Sequence, residues 1–159
     1  MSKNEAMNQW NIGEAIVITL LTKLGISAVK NNDYALRYDY DLLCKYEGRE
    51  FTIEVKFDKY AGRSRNLAVE THNTKSDSPS GIMVTKADLW VQIVGTEKDV
   101  NVVSTQKLKN FVRDEVPYKI IECGGDANAR LYLYKFDHIL PIFRKLSLEN
   151  LLEELNYNE

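Results

Sequence analysis

The segment 52–57, Thr-Ile-Glu-Val-Lys-Phe, constrains the fold more than any other part of the chain. Side chains alternate across a β-strand, so the three apolar residues point to one face and Glu54 and Lys56 point to the other. The apolar face has to pack on a core, which holds the charged pair together on the opposite face. The segment therefore predicts a half-buried strand that carries a carboxylate beside an ammonium group.

A second strand is predicted over residues 36–43, and the Glu-Gly pair at 47–48 suits a two-residue hairpin loop between the two strands. This loop places Asp41 directly across from Glu54. Opposed residues hold their Cβ atoms about 5 Å apart, and like charges at that separation destabilise the pair. A cation between the carboxylates would relieve the repulsion. Mg²⁺ is suited to this position, since it takes oxygen ligands and is usually held by one or two carboxylates plus waters and substrate phosphates.

The same residues also fit an ordinary half-exposed hairpin. If the loop lies at 48–49 instead, Asp41 faces Lys56 as a surface ion pair. Short patterns recur by chance, so the motif alone does not separate the two interpretations.

The first segment of the chain predicts one helix over residues 3–24. Ser2 and Glu5 form a capping-box signal, and Gly25 provides a stop. Glu14 falls inside the apolar arc of this helix, where a carboxylate loses hydration unless it meets a cation or hydrogen-bond donors. The alternative is that Glu14 lies at the edge of the arc and reaches water.

This order of residues resembles the PD-(D/E)xK nuclease superfamily, and within it the small Holliday-junction-resolvase and phage-type endonucleases. The resemblance rests on a helix bearing an acid, then Asp41, then Glu54-Val55-Lys56, and it covers roughly the first two thirds of the chain. It implies an α/β fold with a restriction-endonuclease-like core, in which a central mixed β-sheet is flanked by an N-terminal helix and further helices.

The resemblance also implies a role for each acid and for the lysine. Asp41 and Glu54 would bind Mg²⁺, for which Mn²⁺ substitutes, Lys56 would position or activate the attacking water, and Glu14 would assist the metal site. The products would carry 5′-phosphate and 3′-hydroxyl ends.

The chain departs from the family pattern at Tyr40, where a proline often precedes the aspartate. Asp39 is then a competitor of Asp41 for the metal. The two aspartates share a face of the predicted strand, so sequence parity does not separate them.

A later segment is similar to phage-type members as well. Residues 79–81 predict a loop, a short helix is predicted with its cap near Thr85, and residues 89–94 alternate as a return strand. Lys86 either contacts a phosphate or is solvated locally beside Thr85 and Asp88.

The charge distribution bears on a DNA partner. The net charge of -2 lacks the basic excess of a dedicated nucleic-acid binder. However, residues 56–86 hold six basic residues against three acidic ones, whereas residues 137–159 hold five acidic residues against two basic ones. The basic stretch includes a predicted mobile loop over 60–66 and would attract phosphates towards the carboxylates. The predicted nucleic-acid contacts are Arg63, Arg65, Lys75 and Lys86. The alternative is a solvated loop.

A third strand is predicted over residues 67–72, with Glu70 and His72 on one face. These two side chains would provide a further metal contact or a proton shuttle near the site. The alternative is that they occupy an exposed face of the strand, with no part in the chemistry.

The remaining features favour a single domain over residues 1–159. A chain of 159 residues can bury close to 70% of its unfolded surface without a disulfide or a structural metal. Its two cysteines, Cys44 and Cys123, lack zinc-site spacing and a disulfide framework, which fits a cytoplasmic protein. No segment predicts a membrane span. Further strands are predicted over 100–104 and 130–136, with helices over 105–113 and, in amphipathic form, about 147–156.

The sequence thus predicts an Mg²⁺-dependent DNA endonuclease, acting on branched DNA such as four-way junctions. A homodimer is expected, because two sites related by a two-fold axis cut two strands symmetrically. One alternative is a non-catalytic DNA-binding or assembly module on a nuclease scaffold. Another is a restriction or repair nuclease that acts on linear DNA.

Overall fold

Two β-sheets form the framework of the molecule. The computed structural model describes residues 3–124 and 128–157, in which a six-stranded mixed sheet lies beside a four-stranded antiparallel sheet. With strands numbered along the chain, the first sheet has the spatial order β1 (Ser27–Lys30), β2 (Leu42–Tyr46), β3 (Arg49–Asp58), β6 (Leu89–Val94), β7 (Val100–Ser104) and β10 (Arg144–Lys145). The second has the order β5 (Ser78–Pro79), β4 (Asn66–Asn73), β9 (Ala129–Lys135) and β8 (Lys119–Cys123).

Helices connect and cover these strands. They are α1 (Lys3–Lys23), α2 (Ala61–Ser64), α3 (Thr105–Asp114), α4 (Phe136–Ile139) and α5 (Leu148–Asn156), with 3₁₀ turns at Tyr34–Leu36, Gly81–Met83 and Leu140–Ile142. Strands β3 and β6 pair in parallel, and the chain between them builds α2, β4 and β5. The crossover therefore carries part of the second sheet. None of the helices in the described ranges is long and apolar enough to cross a membrane.

The six-stranded sheet is covered on both faces. One face packs on α1 and α5, where Val17, Leu21 and Leu151 join a cluster that includes Ile53 and Val55. The other face packs on the second sheet and α3, through a cluster that includes Trp90, Val103, Leu67, Val69, Leu108 and Tyr134. All residues of β6 are buried for this reason. Because residues 54 and 56 alternate with 53 and 55, the charged pair of β3 belongs to the second face, between the sheets.

The predicted hairpin is confirmed with its predicted register. Leu42 pairs with Ile53, and Tyr46 pairs with Arg49 across the loop. The loop residues Glu47 and Gly48 have φ angles of 47° and 79°. A two-residue loop of this hand needs positive φ at both positions, and it matches the twist of the strands. The alternative loop at 48–49 is not formed.

Three predicted elements differ in the structure. The strand predicted over 36–43 is wrong, because β2 begins at Leu42 and is preceded by a 3₁₀ turn. The short helix predicted near Thr85 is a 3₁₀ turn that ends at Met83. The loop predicted over 60–66 contains α2, whose Ala61 is fully buried and donates its N–H to Asp58 Oδ1 at 2.9 Å.

The other predicted elements agree within about one residue. They are α1, β4, β6, β7, α3, β9 and α5. Ser147 caps α5 by accepting the Asn150 N–H at 3.1 Å, and the leucines of that helix pack on the core. In α1, Trp10 lies outside the packed face and is 64% exposed, and the predicted cap at Ser2 lies outside the described residues. Strands β1, β5, β8 and β10 are not predicted by the sequence pattern, since all four are short and lie at sheet edges.

Candidate active site

The hairpin brings Asp41 against the strand that carries Glu54. Asp41 directly precedes β2, and its backbone N–H donates to the Ile53 carbonyl at 2.9 Å. Its carboxylate atom Oδ2 accepts the N–H of Val55 at 2.8 Å. Continuing the register of the hairpin by one residue places Asp41 across from Glu54, as predicted.

The ionisation of Asp41 reflects these surroundings. Burial raises the pKa of Asp41 to about 7, and the negative charge of Glu54 acts in the same direction. The charge of Lys56 and the hydrogen bond from Val55 oppose this rise without cancelling it. Two carboxylates therefore share a poorly hydrated space, and a protonated Asp41 or an added cation relieves their repulsion.

Both carboxylate oxygens of Glu54 have partners. Oε1 lies 3.0 Å from the Nζ atom of Lys56, and Oε2 lies 3.2 Å from the hydroxyl of Thr85. Glu54 itself is only 9% exposed. A buried carboxylate needs such donors because its hydration has been removed.

Lys56 remains positively charged in this environment. Burial alone would lower the pKa of Lys56, but the charges of Glu54 and Asp41 and the hydrogen bond to Glu54 raise it above its ordinary value. Its side chain keeps 32% exposure. Lys56 is therefore an ammonium group at neutral pH, able to donate to a water or a phosphate and unable to remove a proton. The predicted roles of Lys56 are to position or to activate the attacking water. An amine that keeps its proton fits the positioning role.

The sequence predicts Thr85 only as a local cap, yet its hydroxyl contacts the carboxylate of Glu54. Its buried hydroxyl lies 3.1 Å from the Asp39 carbonyl, and it accepts the Ala87 N–H at 3.2 Å. A hydroxyl has one proton, so Thr85 donates either to Asp39 or to Glu54 at a given moment. Lys109 fixes the same residue by donating to the Thr85 carbonyl at 2.8 Å.

Asp39 lies next to the site with its carboxylate turned to another partner. Its Oδ2 lies 3.4 Å from Nζ of Lys86, and its carbonyl accepts the Lys86 N–H at 2.8 Å. Asp39 is outside the strand, so the parity argument for it does not apply. The hairpin geometry places Asp41, and not Asp39, across from Glu54.

Glu14 approaches the site from α1. Its carboxylate forms a 3.1 Å ion pair with Lys30, a residue of β1, and its side chain is largely buried. The negative charge of Glu14 also contributes to the raised pKa of Asp41. The cation expected to meet Glu14 is thus a lysine of the neighbouring edge strand.

The two predicted residues of β4 differ in their surroundings. The charge of Glu70 contributes to the raised pKa of Lys56, which places Glu70 near that amine. The His72 ring lies 2.9 Å from Asp77 in the following turn, beyond a β-bulge that interrupts the strand after Glu70. The charge of Glu70 therefore acts on Lys56, while His72 is engaged with Asp77.

The four predicted nucleic-acid contacts lie on different parts of the chain. Lys86 is exposed, and its amine pairs with Asp39, which lies next to the candidate site. Arg65 follows α2, and its guanidinium lies 4.7 Å from the centre of the Phe136 ring. Arg63 and Lys75 are exposed on α2 and on the turn after β4. Only for Lys86 do the contacts of the described residues give a link to the carboxylates.

The side chains that could act as metal ligands determine which kind of metal ion would fit the site. Within residues 3–124 and 128–157, no three His, Cys, Asp or Glu side chains converge as a ready metal cage. Cys44 is buried, and burial raises the pKa of its thiol to about 12. The available ligands are the two carboxylates of Asp41 and Glu54. Such a pair suits Mg²⁺, which usually completes its shell with waters and substrate phosphates, and does not suit structural zinc.

Comparison with solved structures places the fold. The bacterial homing endonuclease I-Ssp6803I superposes with a TM-score of 0.50 over 63% of this chain and 69% of its own, at 21% sequence identity. D212, a nuclease from a fusselovirus, aligns over 98% of this chain and 93% of its own, at 13% identity with a TM-score of 0.44, which is too low to establish a shared fold. No family model and no curated protein sequence matches the chain. The predicted α/β class, with a restriction-endonuclease-like core and flanking helices, is confirmed.

Proposed function

We propose that the protein is a divalent-metal-dependent DNA endonuclease. The observation that carries this proposal is the juxtaposition of Asp41, Glu54 and Lys56, which are two carboxylates and an ammonium group on one hairpin. The fold shared with a homing endonuclease supports it. Membership of the PD-(D/E)xK superfamily stays part of the proposal.

Each residue of the proposed site would have its own role in phosphodiester hydrolysis. Asp41 and Glu54 would hold Mg²⁺ or Mn²⁺, which when bound polarises the scissile phosphate and lowers the pKa of water. Lys56 orients the attacking water and offsets the negative charge that develops on the phosphate oxygens. Water adds to phosphorus and the bond from phosphorus to O3′ breaks, which leaves 5′-phosphate and 3′-hydroxyl ends. Thr85 holds Glu54 in place, and Glu14 assists from α1.

The finer parts of the proposal concern the substrate. Lys86, beside Asp39, would contact a phosphate of the bound strand, and Arg63, Arg65 and Lys75 would contact the backbone further away. Four-way or otherwise branched DNA is the proposed substrate, cut by a homodimer with two sites. Light scattering of the free protein and of its DNA complex tests the dimer.

Cleavage of branched and linear DNA tests the central proposal. Four-way junctions and their component duplexes are incubated with protein in Mg²⁺, in Mn²⁺ and in EDTA. Asp41→Asn and Glu54→Gln should each lower the cleavage rate about a hundredfold or more. Glu50→Gln is the matched control, because Glu50 lies on the same strand as Glu54, is exposed and pairs with Lys45. Cleavage that persists in EDTA or in the Asp41→Asn/Glu54→Gln double variant refutes the mechanism.

A second candidate function is a DNA-binding module without catalysis. Both oxygens of Glu54 are already engaged by Lys56 and Thr85, and the described residues contain no three-ligand metal group. These contacts favour a site that is stable without a cation. The cleavage assay separates the two candidates, since a non-catalytic module binds the same DNAs in a salt-dependent manner and leaves them intact with every metal.

A further inference from the structure

The turn that leads into the carboxylates presents two tyrosines and an arginine to solvent. Tyr34 is 77% exposed and Tyr38 is 70% exposed. The Cζ atom of Arg37 lies 3.8 Å from the centre of the Tyr34 ring and 4.5 Å from the centre of the Tyr38 ring. Within the described part of the chain, no carboxylate pairs with this guanidinium. Tyr34, Arg37 and Tyr38, here termed the stacking surface, therefore combine exposed rings with an unneutralised charge.

Hydrogen bonds hold the backbone of this turn in place. The side chain of Asp33 accepts the Ala35 N–H at 2.9 Å. The Asn31 amide donates to the Leu36 carbonyl at 2.9 Å and to the Tyr40 carbonyl at 3.0 Å. Arg37 adds a 2.6 Å hydrogen bond to the carbonyl of Tyr34. The rings are thus presented by an ordered turn, so that a ligand does not have to order the backbone when it binds.

The stacking surface borders the proposed active site. Tyr38 lies three positions before Asp41 in the chain, which limits the distance between their Cα atoms to about 11 Å. Lys86, whose side chain is 73% exposed, pairs with Asp39 between them and adds a second positive charge. A ligand that lies on the rings can therefore extend to the carboxylates.

We infer that the stacking surface binds an unpaired base of the DNA substrate, with Arg37 on the adjoining phosphate, an inference that rests on the proposed function. Aromatic side chains next to cations bind nucleotides by stacking, at about 1–3 kcal/mol per base and with little sequence preference. The bases of an intact duplex already stack on one another and cannot use such a platform. Among the branched DNAs proposed as substrates, the surface thus favours those that have unpaired bases near the cleavage point. The guanidinium, whose charge no carboxylate of the described residues neutralises, favours a polyanion over an apolar protein partner.

Binding measurements in EDTA test the inference without any contribution from metal or cleavage. Fluorescence anisotropy compares a duplex that has a central run of unpaired thymines with the fully paired duplex. The Tyr34→Ala/Tyr38→Ala variant should bind the unpaired DNA about tenfold or more weakly, and the paired duplex with nearly unchanged affinity. Tyr34→Phe/Tyr38→Phe, which keeps both rings, should bind both DNAs like the wild type. Tyr118→Ala is the matched control, because Tyr118 is also exposed and has the Lys135 amine 3.8 Å from its ring centre, next to the second sheet.

Arg37→Gln provides an independent variant whose effect does not depend on the rings. It should reduce the slope of log Kd against log salt by about one for the unpaired DNA, as expected for the loss of one phosphate contact. The inference is overturned if the alanine variant binds both DNAs like the wild type, or weakens both equally. The first result excludes the surface from DNA binding, and the second assigns it to duplex contacts. If the wild type binds the unpaired DNA in a tyrosine-dependent manner but cleaves no DNA, the proposed function is refuted and this inference is retained.

Discussion

The Nζ atom of Lys56 lies 3.0 Å from Oε1 of Glu54, two residues earlier on the same face of β3. Side chains alternate with period two along the strand, which places Glu54 and Lys56 side by side, and the hairpin adds the carboxylate of Asp41, the residue just before β2. The net charge of the three groups is negative when both acids are ionised. The charge state of Lys56 reflects this balance, since the charges of Glu54 and Asp41 raise the pKa of Lys56.

Removal of the amine should abolish cleavage without abolishing DNA binding. Lys56→Met keeps much of the apolar stem and leaves the Asp41 and Glu54 charges without their partner. The cleavage rate should fall about a hundredfold or more, since the charge that faces the phosphate is lost. Single-turnover cleavage together with gel-shift binding checks this. Cleavage at the wild-type rate by Lys56→Met would exclude a catalytic role for the amine, and Lys59→Met on the exposed side of the following turn is the control.

Asp41 should make the protein less stable as the pH rises. The native pKa of about 7 lies above the ordinary aspartate value of 3.8, so the native state binds the proton more tightly than the unfolded state. The stabilisation is fully present below about pH 4 and is lost between about pH 4 and pH 7. Asp41→Asn should therefore be more stable than the wild type at pH 8, on the order of a few kcal/mol at most, and similar to it near pH 4. Urea unfolding at both pH values measures this, and an Asn variant less stable at pH 8 would contradict it.

Divalent metal should stabilise the wild type through the same carboxylates. A ligand at ten times its Kd adds about 1.4 kcal/mol to the free energy of unfolding, which is a shift of several degrees in Tm for a chain of this size. We expect this shift with Mg²⁺ or Mn²⁺ at pH 8 in the wild type and in Glu50→Gln. It should vanish in Asp41→Asn and Glu54→Gln. Differential scanning calorimetry gives the comparison, and equal shifts in all four proteins would assign the metal to another place.

Thr85 should act as a positioning residue for Glu54. Thr85→Val keeps the shape of the side chain and removes the hydroxyl near Glu54, Asp39 and Ala87. The free energy of unfolding should fall by about 1–3 kcal/mol, because buried polar groups lose their partner. The maximal cleavage rate should fall while the substrate concentration at half-maximal rate stays the same, and Thr85→Ser should restore the rate. A Val variant that loses stability but cleaves at the wild-type rate would limit Thr85 to a structural role.

The hairpin could be predicted because its signals are local. The period of two over 52–57 and the Glu-Gly loop agree on one register, and Asp41 follows from that register. The prediction of a strand over 36–43 is wrong, and the reason is also local. Residues 36–43 alternate in polarity, yet the Asn31 amide donates to the Leu36 carbonyl and the Asp33 carboxylate accepts the Ala35 N–H, and these hydrogen bonds favour a 3₁₀ turn there.

Contacts between distant segments could not be predicted. Thr85 meets Glu54 because β6 returns parallel to β3 after a crossover that builds part of another sheet. Nothing in the sequence around residue 85 indicates where that return strand pairs. The ion pair between Glu14 and Lys30 likewise depends on β1, a four-residue edge strand too short to show a pattern. The exposure of the Tyr34 and Tyr38 rings likewise depends on the turn, which keeps both residues outside the sheet.

Anomalous diffraction from crystals soaked in Mn²⁺ tests the central claim most directly. The account predicts an anomalous peak within about 2.2 Å of carboxylate oxygens of both Asp41 and Glu54, with the Lys56 amine beside it. The peak should be absent in crystals of Asp41→Asn/Glu54→Gln. A wild-type map without density between these carboxylates, at a Mn²⁺ concentration that supports cleavage in solution, would contradict the account.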